Sequence, residues 1–278
     1  MISSFFGKTK PINYIVLSVF LFLFYCLFLV FKINRNVGHL SISLEILTLG
    51  TLILTIFVIN QIIKTEKVTG FSSYAMLLFV LLLVTFSDIL QDKNAIFCSF
   101  FLLLAVWRLL AVRSIKNVKL KIFDASFLIC LASLFYEWAL VFLVLVLVVI
   151  NVYDRKTVKN WIVPFTALLA VFILTLGITR LFGMGDFYQT HYRFSVGFLT
   201  EGFFVQKGVL LQLIYLSLIG ALASVVFLRV RRKGGGRLVP LRILFLTFAL
   251  GTIFGFLNRE GTAVILITFF PAAVFLTN

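Results

Sequence analysis

Apolar residues in this chain come in long unbroken blocks, not at the 3.6- or 2-residue spacing of half-buried helices and strands. Nine blocks reach or approach the roughly 20 residues that cross about 30 Å of hydrocarbon. They run over residues 14–31, 43–63, 71–87, 95–112, 122–152, 161–182, 208–228, 242–257 and 261–277. Charged residues gather in the short segments between them. The pattern predicts an all-α fold, a polytopic transmembrane helix bundle forming a single integral membrane domain over residues 1–278. Composition agrees: the chain is 62% hydrophobic and 13% charged, with 34 Phe and a mean hydropathy of +1.15, against about 25% charged in a soluble domain. A water-soluble globule is excluded.

The fifth block is too long for one span, and the charges say how it is used. If it were a single helix and the N-terminus were cytoplasmic, alternating loops would put 13 of the 25 Lys and Arg inside and 12 outside, which is no bias. If it turns back at Phe135-Tyr136-Glu137-Trp138, 18 of the 25 fall inside, and only Lys32, Arg35, Lys93, Arg180, Arg193, Lys207 and Arg259 fall outside. The positive-inside rule selects the second arrangement. The arms, near 123–135 and 138–152, would be about 20 and 22 Å long as helices, so they are short spans or a re-entrant hairpin. About ten helical segments result, with both termini cytoplasmic in a bacterial inner membrane. The net charge of +15 then lies wholly on the cytoplasmic side. It is explained by orientation in the lipid bilayer, with no nucleic-acid partner.

Smaller features change this little. Lys8 and Lys10 precede the first block, but no small-residue cleavage site follows it, so an uncleaved first span is expected. Gly7-Lys8-Thr9 lacks the upstream glycine of a phosphate-binding loop. Cys26, Cys98 and Cys130 lie inside apolar blocks and the chain has two His, so no disulfide framework, metal site or cofactor is implied. Pro164 is expected in the first turn of its helix, where a missing N–H costs little. Residues 183–207 form an aromatic external loop suited to the membrane interface, and Arg229 to Arg242 a glycine-centred basic turn that fixes orientation and touches anionic head groups. Gly251 with Gly255, and Gly220 with Ser224, suit close helix contact, chiefly within the chain. The last block stops at Asn278 without a polar tail, as expected of a chain cut short there.

An ionisable group at membrane depth costs roughly 2.5–3.5 kcal/mol on insertion scales, which makes it a functional candidate. Glu137, at the hairpin turn between Tyr136 and Trp138, is the candidate catalytic acid or base; at the external interface it would be a solvated loop residue. The other candidates share its side: Arg35, His39, Glu45, Asp88, Asp92, Asp186, His191, Arg193, Glu201, Arg259 and Glu260. Asp186, Tyr188, His191, Tyr192 and Arg193 form one short stretch. Its Arg and His beside aromatic rings would hold a phosphate and stack a sugar, or the loop is simply pinned by its aromatics. Arg259 and Glu260, in a tight turn, are further substrate-binding candidates or an exposed ion pair.

Phe5 to Tyr14 (Phe-Phe-Gly-Lys-Thr-Lys-Pro-Ile-Asn-Tyr) and Phe123 to Tyr136 (Phe-Asp-Ala-Ser-Phe-Leu-Ile-Cys-Leu-Ala-Ser-Leu-Phe-Tyr) resemble an uncharacterised family of polytopic inner-membrane proteins of Bacteroidota. The likeness covers the whole chain and implies no activity. A looser architectural likeness is to membrane glycosyltransferases that use polyprenyl-phosphate carriers. Those place acids in the first external loop, whereas Lys32 to Ser43 holds none and Glu45 lies just inside the second span. Two functions are therefore expected: a non-catalytic membrane subunit or assembly factor of the cell envelope, engaging a membrane protein partner, or a membrane-embedded enzyme or carrier handling a polyprenyl-phosphate-linked glycan.

Overall fold

The computed structural model describes residues 6–7, 11–34, 41–70, 72–194, 196, 208–233, 238–257 and 262–278. Arg35, His39, Glu201, Arg259 and Glu260 lie outside the described residues, as do Lys8, Thr9 and the centre of the basic turn. Among the described residues there is no strand. The helices are α1 (Pro11–Asn34), α2 (Ile42–Glu66), α3 (Tyr74–Thr85), α4 (Lys93–Ala111), α5 (Val118–Ala132), α6 (Leu143–Tyr153), α7 (Val158–Leu181), α8 (Phe187–His191), α9 (Val209–Lys233), α10 (Leu238–Leu257) and α11 (Phe269–Thr277). Tighter 3-10 segments precede four of them: Ser87–Gln91 before α4, Val112–Ser114 before α5, Glu137–Phe142 before α6 and Thr262–Thr268 before α11.

Among the described residues, six helices, α1, α2, α4, α7, α9 and α10, are long and apolar enough to cross a membrane. The shorter α3, α5, α6 and α11 pack among them. α5 packs against α4 and α7, and α3 against α11. Large apolar side chains such as Leu27, Phe31, Phe165 and Leu210 stand exposed on the outer helices, where lipid would cover them. Inside lies one continuous apolar core that includes Leu21, Ile56, Phe142, Phe254 and Phe269.

Hydrogen bonds fix which ends of the helices lie together. Ser73 N donates to Phe6 O at 2.9 Å, Asn13 Nδ2 to Ser73 Oγ at 2.9 Å, and Asn278 Nδ2 to Val68 O at 3.2 Å. Both ends of the described chain therefore sit on one face of the bundle, called here the terminal face. On the opposite face Tyr136 donates to Asp92. The expected hairpin is present: α5 ends at a turn over Ser133–Tyr136 beside Asp92, and α6 returns to pack its neighbourhood against the Val112–Ser114 turn that precedes α5. The 15 residues of α5 span about 22 Å. Six 3-10 residues at the head of the second arm draw it out to about 28 Å.

Three details differ from the sequence pattern, each for a local reason. α7 begins at Val158, so Pro164 sits in its second turn, not its first. The earlier start is held by Asp154, whose carboxylate accepts from Thr157 Oγ1 and Asn160 Nδ2, both at 2.7 Å. The block at 71–87 stops being α-helical at Thr85, and Asp92 then caps α4 by accepting from Ala95 N at 3.1 Å, a standard N-terminal device. The last block opens as 3-10 over Thr-Ala-Val-Ile-Leu-Ile-Thr, a run rich in β-branched residues ahead of Pro271, which cannot donate to the carbonyl four residues back. Gly251 packs on this segment: a Cβ there would lie 2.8 Å from Thr268 Cγ2 and 3.0 Å from Ile267 Cγ2. This half of the G-x-x-x-G pair is used within the chain.

Candidate functional site

The polar groups on the face opposite the termini converge at the start of α2 and α4. Glu45, in the first turn of α2, is 7% exposed. Its Oε2 accepts a hydrogen bond from the buried Tyr25 hydroxyl of α1 and lies 2.5 Å from Lys93 Nζ. Its Oε1 lies 3.2 Å from Lys32 Nζ, near the end of α1. Lys93 also donates to Tyr25 Oη at 2.8 Å and to Leu90 O at 2.9 Å. The first residue of a helix is electrostatically the wrong place for an ammonium. Glu45 and the adjacent N-cap Asp92 offset it. Tyr136, 4% exposed, donates to the other oxygen of Asp92, so the hairpin turn is fastened to the same cluster.

Beside the cluster runs a groove of about 360 Å³. One wall is the α1 stripe Phe24, Leu27, Phe28 and Phe31; Lys32, Ser87, Asp88 and Gln91 supply its polar groups. Leu27 and Phe31 are 58% and 63% exposed, so the groove opens sideways, toward lipid. It combines an apolar channel with a cation, a carboxylate, an amide and a hydroxyl at one end. Such a lining suits an amphiphile with a polar, hydrogen-bonding head.

The sequence candidates on the loop are arranged differently. A second groove, of about 310 Å³, lies between α5, α7 and the loop; Ser133, Phe172, Thr175, Tyr188 and Tyr192 are among its lining residues. Tyr188 shares a hydrogen bond with Thr175 and donates to Phe172 O at 3.2 Å. Tyr192 shares one with Ser133 at 3.1 Å, and burial pushes its phenol above the ordinary pKa. His191 Nε2 is 2.8 Å from Ser133 O, and its ring stacks on Phe187 at 5.0 Å. Tyr188, His191 and Tyr192 thus strap the loop down. Asp186 and Arg193 are on the exposed side, Arg193 donating to Gln189 O at 3.3 Å. Glu137 is half-buried at the start of its 3-10 segment, with no hydrogen bond or ion pair among the described residues. The loop approaches this turn, with Trp138 edge-on to Phe194 at 5.3 Å, while Arg193 and Glu137 form no ion pair among the described residues.

Glu45, Asp88 and Asp92 were legible as charges at the edge of apolar blocks. Tyr25, Lys32, Ser87, Gln91, Lys93 and Tyr136 were not singled out. The available signal was a tyrosine hydroxyl deep in the first block and a lysine directly after Asp92. No group of His, Cys, Asp or Glu among the described residues is placed to hold a metal ion.

This fold defines a multi-helix membrane protein, with a buried ionic cluster at one face and a groove beside it open at the outer surface of the bundle. Comparison with protein-family models, with curated proteins and with solved structures finds no match for the chain.

Proposed function

We propose that the protein handles a lipid-linked substrate, admitted sideways from the bilayer into the groove between α1 and the Ser87–Gln91 segment. Of the two functions expected from sequence, this is the membrane-embedded enzyme or carrier, with a polyprenyl-phosphate-linked glycan as the substrate class. The observation that carries it is the groove itself: an aromatic and aliphatic wall for a hydrocarbon chain, ending at Lys32, Ser87, Asp88 and Gln91. The subunit reading rests on small-residue faces and basic loops; of the faces, Gly251 packs on Ile267 and Thr268 within the chain, while Gly255 has open space beside it. Native mass spectrometry of the protein extracted gently from its own membranes should find a retained lipid-linked species. Ser87→Trp, which fills the groove mouth, should lose it. A stoichiometric protein partner with no retained lipid would sink this reading in favour of the subunit.

We further propose that the terminal face is cytoplasmic, in a bacterial inner membrane. Support comes from the 18 of 25 Lys and Arg that the hairpin assigns to that face. A fluorescent reporter fused after Asn278 should mature inside the cell, and Asp186→Cys should react with an impermeant thiol reagent from outside. The reverse pattern would invert the assignment.

A further inference from the structure

We propose that the groove selects its lipid by a phosphate, and that Lys32 recognises this phosphate by exchanging Glu45 for it. The inference rests on the groove reading above and specifies its chemistry. An ammonium has three protons to donate. Lys93 spends its donors on Glu45, Tyr25 and the Leu90 carbonyl. Lys32, among the described residues, makes a single contact, the longer of the two ion pairs to Glu45 at 3.2 Å, and it is the lysine that lines the groove.

Lys93 has the Asp92 carboxylate beside it as well as Glu45, whereas Lys32 makes its one Glu45 contact among the described residues with a side chain only 13% exposed, which leaves donors of a charged group unfilled. A half-desolvated cation of this kind is satisfied by an anion, and a phosphate offers several acceptor oxygens to its remaining protons. The exchange leaves no charge stranded. When Lys32 turns to the phosphate, Glu45 keeps both Lys93, at 2.5 Å, and the Tyr25 hydroxyl on Oε2, and only its Oε1 is released.

Asp88 lines the same groove, and its carboxylate would repel a phosphate placed against it. The phosphate is therefore confined to the Lys32 side. Asp88, Ser87 and Gln91 are left to meet hydroxyl groups on whatever the phosphate carries. An uncharged lipid alcohol would offer Lys32 one neutral acceptor, and a purely cationic head would be repelled by it. The ligand class is a lipid-borne phosphate with a hydroxyl-rich substituent.

The test titrates purified protein in phosphatidylcholine nanodiscs with undecaprenyl phosphate and, separately, with undecaprenol, which share a chain and differ in the phosphate. The wild type should bind the phosphate at least about tenfold more tightly, the size expected of one charge-assisted contact. Lys32→Met should bring the phosphate down to the level of the alcohol, with thermal melting in the same nanodiscs showing that the variant is folded. Lys32→Arg should retain the preference. Equal binding of the two lipids by the wild type, or a preference that survives in Lys32→Met, would overturn the phosphate inference and leave the groove reading standing. If neither lipid binds, the groove reading fails and this inference falls with it. Displacement of the lipid by millimolar inorganic phosphate would overturn the assignment to a lipid-borne group.

Discussion

Glu45→Gln is expected to destabilise the protein more than any other single substitution in the cluster, by about 3–5 kcal/mol. Glutamine keeps the shape and can still accept from Tyr25. What it removes is the only charge that two ammoniums share, at side-chain exposures of 13% for Lys32, 10% for Lys93 and 8% for Glu45. Burying an ion pair is worth little when both members are compared with apolar residues; breaking one strands the survivor, and that is where the cost arises. Here the variant leaves Lys93 with Asp92 alone to offset it at a helix N-terminus, where the backbone dipole adds to the penalty. The double variant Glu45→Gln with Lys93→Met should therefore be more stable than Glu45→Gln alone. By contrast, loss of the Arg108–Asp124 pair, with side chains 48% and 41% exposed, should be nearly silent. Thermal melting of the variants in one detergent checks the ranking. Additive losses in the double variant would show that Glu45 and Lys93 are not coupled as the geometry requires.

The helices and their arrangement were legible for different reasons. Apolar blocks report which segments leave water, so nine membrane-level blocks could be placed from hydropathy alone. The hairpin needed a second signal, because 122–152 reads as continuous apolar sequence; basic residues on both flanks supplied it. Hydropathy cannot report backbone type. Ser87–Gln91 and Thr262–Thr268 leave the α-helix because of an N-cap aspartate and a run of β-branched residues before Pro271, and neither changes the hydropathy. The candidate site was half visible for a similar reason. A carboxylate beside an apolar block announces itself, as Glu45 and Asp92 do. Its partners are set by the fold: Tyr25 is 20 residues from Glu45, Lys93 is 48 away, and Tyr136 is 44 from Asp92. The loop residues Tyr188 and His191, grouped by proximity in sequence, turn out to share their work with α7 and α5 in holding the loop down.

Tyr136→Phe is the other substitution with a large expected effect, about 1.5–3 kcal/mol, the worth of a hydrogen bond to a charged group. The ring would stay. It packs edge-on to Phe254 at 6.2 Å, and phenylalanine preserves that contact. The lost group is the hydroxyl that fastens the hairpin turn to Asp92, while Asp92 keeps its cap on Ala95 N. The consequence should be local as well as global: amides of residues 133–142 should exchange faster, since the turn would lose its tie to the ionic cluster and keep those from Ser133 to Tyr192 and His191. Tyr192→Phe is the matched comparison. It removes a bond between two neutral hydroxyls, worth about 0.5–1.5 kcal/mol, from the outer side of the same turn. Hydrogen exchange read by mass spectrometry on both variants separates the two ties. If Tyr136→Phe leaves 133–142 as protected as the wild type, the hairpin is held by apolar packing against α4 and α7, and the ionic cluster ends at Asp92 instead of reaching the turn.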